Sequence, residues 1–400
     1  MQTKSWKSNG KTYAFDDRGV MVYQWTAINE RIDEEATGAN LASASTWRYF
    51  NSPEDGARVT KGWFKVVAPD DDNDNTFMDY GTGFASEDAG DETERWYYAD
   101  ANGILYEGEI KSIKGKYYGF WPNDGQGKTG AMLNGLCVLQ MNDEKIVKVI
   151  ADDIDSNDLD DILDGKFAND NWDQENSSLN SIYLYYFGND LDGDGSMKTG
   201  NVTVNLDGNS YNFLFKKTGN PAGGRGRGVT GIEDKKYIYN YGCKIKASSD
   251  DKYKLVKVEG SNGTDINSDG VKVTKKSAPV WSDDTTYKND DGDTVLYHYA
   301  TGSDDINFAT NNYYLVNTSG NIQKNKLSGL KDGNECYYYV DDNRHVILYT
   351  DNKTLKSKAN NVTKNSGDEF VTKYAKNKDA ADDENETESS NDDTTESDAE

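Results

Sequence analysis

Aromatic residues recur along the chain in alternation with polar ones, and turns rich in Asp, Asn and Gly separate them. The segment "NGKTYAFDDRGVMVYQW" (9–25) gives an aromatic strand, an Asp-Asp-Arg-Gly turn and a second strand, and 46–67, 95–113 and 115–139 follow the same order. Each unit therefore predicts a β-hairpin in which the aromatic strand precedes the turn and a short strand follows it. Because side chains alternate along a strand, one ring of each aromatic doublet points inward and the other outward.

The repetition continues beyond the first third of the chain. Aromatic triplets lie 26 residues apart at Tyr185-Tyr186-Phe187, Tyr211-Asn212-Phe213 and Tyr237-Ile238-Tyr239, and the pairs at 313–316 and 337–340 are 24 apart. A position that we call the slot comes four residues after the apolar residue of a turn, and it holds Trp25, Glu109, Leu136 and Asn201. A two-stranded hairpin is marginal in water, so neighbouring units must cover one another. We therefore expect an all-β fold, a tandem β-hairpin repeat solenoid with irregular insertions and a disordered acidic C-terminal tail.

Changes in composition divide the chain into six predicted segments. They are N-terminal hairpin repeats with loop insertions (1–139), an acidic connector with one short helix (140–180), a second hairpin block (181–250), an irregular β segment (251–310), C-terminal hairpin repeats (311–356) and the acidic tail (357–400). The tail has too few apolar residues to build a core, so we expect it to stay disordered.

Net charge limits the class of partner. The formal charge is −26, and residues 379–400 hold eleven Asp and Glu without Lys or Arg, which leaves −15 on the rest of the chain. An acidic body repels phosphate backbones, which argues against nucleic acid as a partner.

No apolar run approaches the ~20 residues that a membrane crossing requires. The N-terminus lacks the regions of a signal peptide, so either the chain is cytosolic or an export signal lies on a part of the polypeptide that precedes residue 1.

The sequence offers little catalytic or metal chemistry. The three Cys lie about a hundred residues apart, and the two His lie outside any recognisable catalytic motif. The segment 189–200 places Asp190, Asp192 and Asp194 at the spacing of a calcium loop. Asn201 stands where such a loop needs a bidentate Glu, so an Asp-Gly turn is favoured. We expect no enzyme, no cofactor and no metal site.

Four segments carry a resemblance to a known class of repeats: "GKTYAFDDRGVM" (10–21), "KGWFKV" (61–66), "RWYYADANG" (95–103) and "GSMKTG" (195–200). They resemble the cell-wall-binding, or choline-binding, repeats of Gram-positive surface proteins, and also glucan-binding repeats. The resemblance covers roughly 200 residues in pieces. It implies a hairpin solenoid that binds choline or glycans in aromatic cages between hairpins, and a secreted or cell-surface location. A quaternary ammonium gains cation–π energy over Trp and Tyr faces.

The slot, which is Trp in that family, holds Trp here only at Trp25 and Trp63. We therefore expect ligand binding mainly in the N-terminal third, with these cage candidates: Trp25, Trp47, Tyr49, Trp63, Trp96, Tyr98 and Tyr118. The resemblance implies a non-catalytic region that anchors a secreted bacterial protein to a cell-wall polymer, namely teichoic acid choline, peptidoglycan or glucan. The alternative is a ligand-free stalk or adhesin spacer, which degenerate slots favour.

Overall fold

The computed structural model divides the protein into two compact units, each with its own core. Unit 1 comprises Met1–Val229 with Tyr241–Cys243, and unit 2 comprises Thr230–Asn240 with Lys244–Glu400. The structure describes residues 4–15, 19–27, 47–67, 94–123, 128–142, 145–164, 182–188, 194–219, 224–260, 271–281, 283–288, 294–303, 305–324 and 329–351. These residues form 26 strands, one α-helix and one 3₁₀ turn, so the predicted all-β class is confirmed. The predicted tail (357–400) lies outside the described residues.

Unit 1 is built from antiparallel hairpins. Its strands are β1 (Lys4–Ser8), β2 (Lys11–Phe15), β3 (Gln24–Ala27), β4 (Trp47–Phe50), β5 (Gly62–Val67), β6 (Glu94–Ala99), β7 (Glu109–Ile113), β8 (Lys116–Phe120), β9 (Leu136–Asn142), β10 (Lys145–Ala151), β11 (Ile182–Tyr186), β12 (Gly200–Leu206) and β13 (Asn209–Phe215). Each of the pairs β1–β2, β3–β4, β5–β6, β7–β8, β9–β10 and β12–β13 forms one hairpin. One five-stranded sheet has the order β11-β9-β10-β7-β8.

Three hairpins are closed by two-residue turns whose backbone is left-handed at both positions. The turns are Asn9-Gly10, Lys114-Gly115 and Asp207-Gly208, with φ between 47° and 82°. This geometry is a type I′ turn, whose twist matches that of the flanking strands. Glycine at the second position adopts the positive φ without steric cost, so the local sequence fixes these three hairpins.

The hairpins are offset by one strand from the pairing that the sequence predicts. The aromatic strand is the second strand in five of the six hairpins of unit 1, and β9–β10 is the exception. Trp25 on β3 pairs with Tyr49 on β4, and Trp63 on β5 pairs with Tyr98 on β6. Across the turn that follows the aromatic strand, the predicted hairpin is reduced to an isolated bridge, and the strand beyond that turn pairs with a later strand, as β7 does with β8. Residues 28–46 connect β3 to β4 and residues 68–93 connect β5 to β6, so each of these long connections lies within a hairpin.

A single backbone pattern recurs after every aromatic strand of unit 1. After five of the six aromatic strands, the last residue forms an isolated bridge with a residue beyond the turn, as Phe15 does with Met21 and Phe120 with Met132. The next residue then donates its backbone N–H back across the turn at 2.8–3.3 Å. The six bonds run from Val22 to Ala14, Val59 to Tyr49, Tyr106 to Tyr98, Leu133 to Gly119, Lys198 to Tyr186 and Val229 to Leu214.

This pattern also defines the repeat spacing. Phe187 and Phe215 hold equivalent positions, 28 residues apart, because Lys198 and Val229 donate to the residues just before them. The spacing of 26 that the sequence indicates for these units is therefore wrong by two residues. A shift of two residues leaves every side chain on its own face of the strand, which is why the aromatic pattern did not reveal the difference.

A second set of backbone bonds joins one hairpin to an earlier one. The residue beyond the turn donates its backbone N–H to an earlier aromatic strand. Met132 donates to the Trp96 carbonyl and Met197 to the Tyr117 carbonyl, both at 2.7 Å. Arg58 donates to Thr12 and Gly228 to Leu184 in the same way, at 2.8 Å. These bonds satisfy backbone groups that a two-stranded hairpin leaves unpaired.

The apolar side chains of unit 1 form two main cores. One gathers Tyr97, Leu133, Leu139, Tyr185 and Phe187, and the other packs the α-helix against β9, β11 and β13. The helix, α1 (Ser156–Leu163), begins with a capping box and buries Leu159, Ile162 and Leu163. It confirms the short acidic helix expected within 140–180.

None of the helices in the described part of the chain has the length and the apolar character that a membrane crossing requires.

Unit 2 is likewise made of antiparallel strands. They are β14 (Gly231–Glu233), β15 (Tyr237–Asn240), β17 (Tyr253–Glu259), β18 (Lys272–Lys276), β19 (Asp283–Lys288), β20 (Thr294–Ala300), β21 (Gly302–Ser303), β22 (Ile306–Asn307), β23 (Tyr313–Asn317), β24 (Leu330–Lys331), β25 (Tyr337–Val340) and β26 (Val346–Thr350); the two-residue β16 (Cys243–Lys244) lies at the boundary of the two units. Strand β17 lies between β18 and β23, and a second sheet has the order β19-β20-β26-β25-β24.

Gly228 allows a first test of the packing. Gly228 holds the bridge position that Met21 and Met132 hold elsewhere, and a Cβ there would lie 2.5 Å from the Tyr241 carbonyl oxygen. We expect Gly228→Ala to lower the free energy of unfolding by about 1–3 kcal/mol, because the two backbones must separate. Gly62→Ala is the control, since its Cβ would meet only the Thr60 oxygen at 3.8 Å. Urea unfolding measures both, and equal midpoints would contradict the prediction.

Candidate functional site

The aromatic doublets of unit 1 divide their rings between two clusters. Neighbouring residues on a strand point to opposite faces, so Tyr97 and Tyr98 separate, as do Trp63 and Phe64. The Trp25 cluster consists of Trp25, Tyr49, Phe64 and Tyr97. The Trp63 cluster consists of Trp63, Trp96, Tyr98, Tyr106, Tyr118 and Phe120.

The Trp25 cluster is part of the core. Trp25 is 2% exposed, and its ring meets Tyr49 and Tyr97 edge to face at centroid distances of 5.1 and 5.0 Å. Tyr97 is completely buried, and this burial raises the pKa of its hydroxyl well above the ordinary value. The Tyr97 ring stacks on Phe64 at 5.6 Å. These rings close the space between successive hairpins.

The Trp63 cluster lies on the other face of the same strands. Trp63 contacts Tyr98 at 5.1 Å and Tyr118 at 4.8 Å, both edge to face. Trp96 is perpendicular to Trp63, with an interplanar angle of 87° and a centroid distance of 6.4 Å. Phe120 is fully buried beneath the group and stacks on Trp63 at 5.9 Å. The rings of Trp63, Trp96, Tyr98 and Tyr118 remain half-buried, so each keeps some surface in contact with solvent.

One edge of the Trp63 cluster already holds a cation of the chain. The Lys111 ammonium lies 5.1 Å from the centroid of Tyr106, which stacks on Tyr98 at 5.3 Å. Glu109, the slot residue, fixes this ammonium: its Oε2 accepts hydrogen bonds from Lys111 at 3.1 Å and Lys145 at 3.3 Å. Where the slot is Glu, an internal ion pair therefore stands in place of an aromatic wall.

A second group of charges lies beside Tyr118. Asp194 accepts hydrogen bonds from Lys116 at 3.1 Å and Lys198 at 3.0 Å. Burial raises the pKa of the Asp194 carboxyl, but bonds from Ser196 and the two lysines outweigh that effect and hold the pKa well below its ordinary value. Burial, with Asp194 as a smaller cause, raises the pKa of Tyr118. Asp194 is thus ionised and paired at neutral pH.

The predicted site residues fall into three groups. Trp63, Trp96, Tyr98 and Tyr118 lie together in the Trp63 cluster, whereas Trp25 and Tyr49 belong to the core. The side chain of Trp47 lies outside the described part of the structure. Sequence reasoning missed Tyr106 and Phe120, of which only Phe120 had a signal, its position two residues after Tyr118.

The calcium-loop candidate gains no support from the described residues. Asp190 and Asp192 lie outside them, and the carboxylate of Asp194 is engaged with two lysines. Within the described ranges, no three His, Cys, Asp or Glu side chains are grouped so that they would hold a metal ion.

The two positions of Trp predict different losses of stability. We expect Trp25→Ala to lower the free energy of unfolding by about 3–5 kcal/mol, because it empties a buried ring site. Trp96→Ala removes a half-buried ring, and we expect a smaller loss, about 1–2 kcal/mol. Chemical denaturation followed by circular dichroism measures both. An equal loss for the two variants would contradict the division into a core cluster and a surface cluster.

Neither a protein-family model nor a curated protein sequence matches the chain. Among solved structures, CbpJ from Streptococcus pneumoniae TIGR4 is 16% identical with a TM-score of 0.32, over 86% of this chain and 100% of that one. Choline binding protein F from the same species, solved with a peptidoglycan analogue, is 18% identical with a TM-score of 0.22, over 86% and 92%. The choline binding domain of Spr1274 in S. pneumoniae is 19% identical with a TM-score of 0.17, over 33% and 96%. Because these TM-scores lie below 0.5, function must be argued from the residues of this chain.

Proposed function

We propose that the chain is a non-catalytic binding region that attaches a protein to a cell-wall polymer through the Trp63 cluster. The observation that carries the proposal is the gathering of four half-buried rings, Trp63, Trp96, Tyr98 and Tyr118, on one face of two successive hairpins. Tyr97 and Phe120, which fill space between hairpins, are fully buried, whereas these four rings keep part of their surface in contact with solvent. Partly exposed rings fixed by their neighbours are the usual lining of a site for an apolar or cationic ligand.

The geometry of two of these rings suits a quaternary ammonium such as choline. Trp63 and Trp96 are perpendicular, with centroids 6.4 Å apart. A quaternary ammonium over the solvent-exposed part of either ring, within ~6 Å of its centroid, would make a cation–π contact. Tyr98 and Tyr118 both contact Trp63 and lie in the same cluster. Each good contact contributes ~0.5–2 kcal/mol.

The repeated backbone bonds of unit 1 support a tandem array of hairpins as the scaffold of this site. Each hairpin alone is marginal, and stacking on its neighbours fixes the rings between them. The other slots differ chemically: Leu136 is buried, Asn201 is exposed, and Glu109 forms an ion pair. Binding therefore belongs to the interface around Trp63, and the remaining units position it.

A secreted or cell-surface location follows from the proposed partner, since cell-wall polymers lie outside the cytoplasm. The negative charge of the chain, −26, agrees with a cationic or neutral ligand group and opposes an anionic one. Attachment through weak sites gains strength when several act on one polymer.

One observation favours a ligand-free stalk as the second candidate. Cations of the chain cover several rings of unit 1: Lys128 lies 4.6 Å from Trp121, Arg227 4.0 Å from Tyr183 and Arg225 5.3 Å from Tyr117. These internal contacts gain the energy that a ligand cation would otherwise gain, so the interfaces that hold them are cohesive and not ligand-binding.

Retention on insoluble polymers tests the proposal with the full chain. We expect retention on cell walls that carry choline-substituted teichoic acid, release by free choline, and a loss of about 5–30-fold in affinity for Trp63→Ala, which corresponds to one or two cation–π contacts. Purified peptidoglycan and α-glucan beads serve as the other two polymers.

Trp6→Ala is the matched control, because Trp6 is a 66% exposed Trp outside the cluster. We expect it to bind like the unmodified protein, and circular dichroism confirms that both variants remain folded. Failure of the unmodified chain to bind any of the three polymers would favour the stalk. Retention that choline does not release would identify a glycan as the bound group.

A further inference from the structure

Unit 2 contains an exposed tryptophan that neither the repeats nor the Trp63 cluster explains. Trp281 is 37% exposed, and its neighbour Val280 is 75% exposed. The Trp281 ring stacks on Tyr349 at a centroid distance of 5.0 Å and an angle of 12°. It also lies 5.9 Å from the His298 ring, tilted by 31°. The ring therefore has a fixed orientation although much of it faces solvent.

The support beneath Trp281 is rigid. Tyr349 is buried between Trp281 and Tyr338, whose ring lies 4.5 Å away. The Tyr349 hydroxyl donates a hydrogen bond of 2.9 Å to Oδ2 of the buried Asp332. Oδ1 of Asp332 in turn accepts the backbone N–H groups of Asn334 and Cys336, each at 2.9 Å. Burial raises the pKa of Tyr349 above its ordinary value, so the hydroxyl stays protonated and remains a donor. Such supporting bonds hold an exposed ring in one position.

A polar pair borders the ring. Asp351 accepts the backbone N–H of His298 on Oδ1 at 2.8 Å, and its Oδ2 lies 2.7 Å from Nδ1 of the same residue. Thr350 Oγ1 donates to the His298 carbonyl at 2.6 Å, which fixes the strand beneath. The side chains of His298 and Asp351 are 38% and 37% exposed. Each carboxylate oxygen carries two lone pairs, so Asp351 keeps acceptor capacity toward solvent.

We infer that Trp281, His298 and Asp351 form a binding site for a neutral pyranose ring of a glycan. A pyranose has an apolar C–H face that matches the open face of Trp281, and hydroxyls at its edge that match a carboxylate and an imidazole. A phosphate or another anion is disfavoured by Asp351 and by the net charge of −26. A quaternary ammonium needs several enclosing rings, whereas among the described side chains Trp281 is the exposed aromatic residue at this site. The inference goes beyond the proposed function, because the site lies in unit 2 and takes a different ligand group.

Affinity electrophoresis of the full chain tests this site. Native gels contain dextran, laminarin or hydroxyethyl cellulose, which present neutral pyranose rings in three linkages. We expect at least one polymer to retard the protein, and Trp281→Ala to weaken that binding by about tenfold or more, as truncation of a central Trp does. Asp351→Asn weakens it less, because the amide still offers one acceptor oxygen. Val280→Ala, the exposed neighbour, leaves the mobility unchanged.

The outcomes separate this site from the Trp63 cluster. Free choline leaves the retardation in these gels unchanged, whereas it releases the protein from choline-bearing walls. If Trp281→Ala alters the circular dichroism spectrum, the test uses Asp351→Asn instead, because the amide oxygen can still accept the His298 backbone N–H. Absence of retardation by all three polymers would overturn the inference. The inference would also be overturned if Trp281→Ala or Asp351→Asn kept an unchanged circular dichroism spectrum and were retarded as strongly as the unmodified chain.

Discussion

The backbone hydrogen bond that crosses each turn is the constraint on which the array of unit 1 depends. It attaches the end of one aromatic strand to the beginning of the next hairpin, as from Leu133 to Gly119, without using a side chain. The turn itself is therefore free to vary: five residues separate Phe15 from Met21, and eleven separate Phe120 from Met132. Lengthening a loop costs little free energy, so insertions are tolerated wherever this bond is kept. What cannot vary is the set of rings that fills the space between hairpins.

Local patterns predicted the strands but not their partners. Alternation identified β2, β6 and β8, because the aromatic side chains of a strand repeat every two residues. The two-residue turns carry recognisable chemistry at Asn9-Gly10 and Asp207-Gly208. The connections 28–46 and 68–93 carry none, so the sequence alone gave no reason to pair the strands on either side of them. Strand pairing depends on contacts between successive hairpins, which no local sequence pattern contains.

The difference between local patterns and strand pairing also explains how much of the candidate site could be predicted from the sequence. Alternation was enough to place Trp96 and Tyr98 on one face. The position of Trp63 opposite Tyr98 depends on the pairing of β5 with β6, which alternation does not predict. Alternation also did not distinguish Trp25 from Trp63, although both hold slots, because burial of a slot depends on the hairpins that stack against it. The contact between His298 and Asp351 could not be predicted from the sequence, because the two residues are 53 positions apart.

Competition between internal and external cations accounts for the difference between the cohesive interfaces and the interface that we propose binds a ligand. An aromatic face holds one cation at a time, and the chain supplies its own at Tyr106, where Lys111 lies 5.1 Å from the centroid. Glu109 makes that possible, because its carboxylate holds the ammonium at 3.1 Å. Where the slot residue is Trp, as at Trp63, it adds an aromatic ring to the cluster and has no carboxylate that could hold a lysine in place. The slot residue and the hairpins that bury it together determine whether the rings beside it hold a cation of the chain or keep surface available to a ligand.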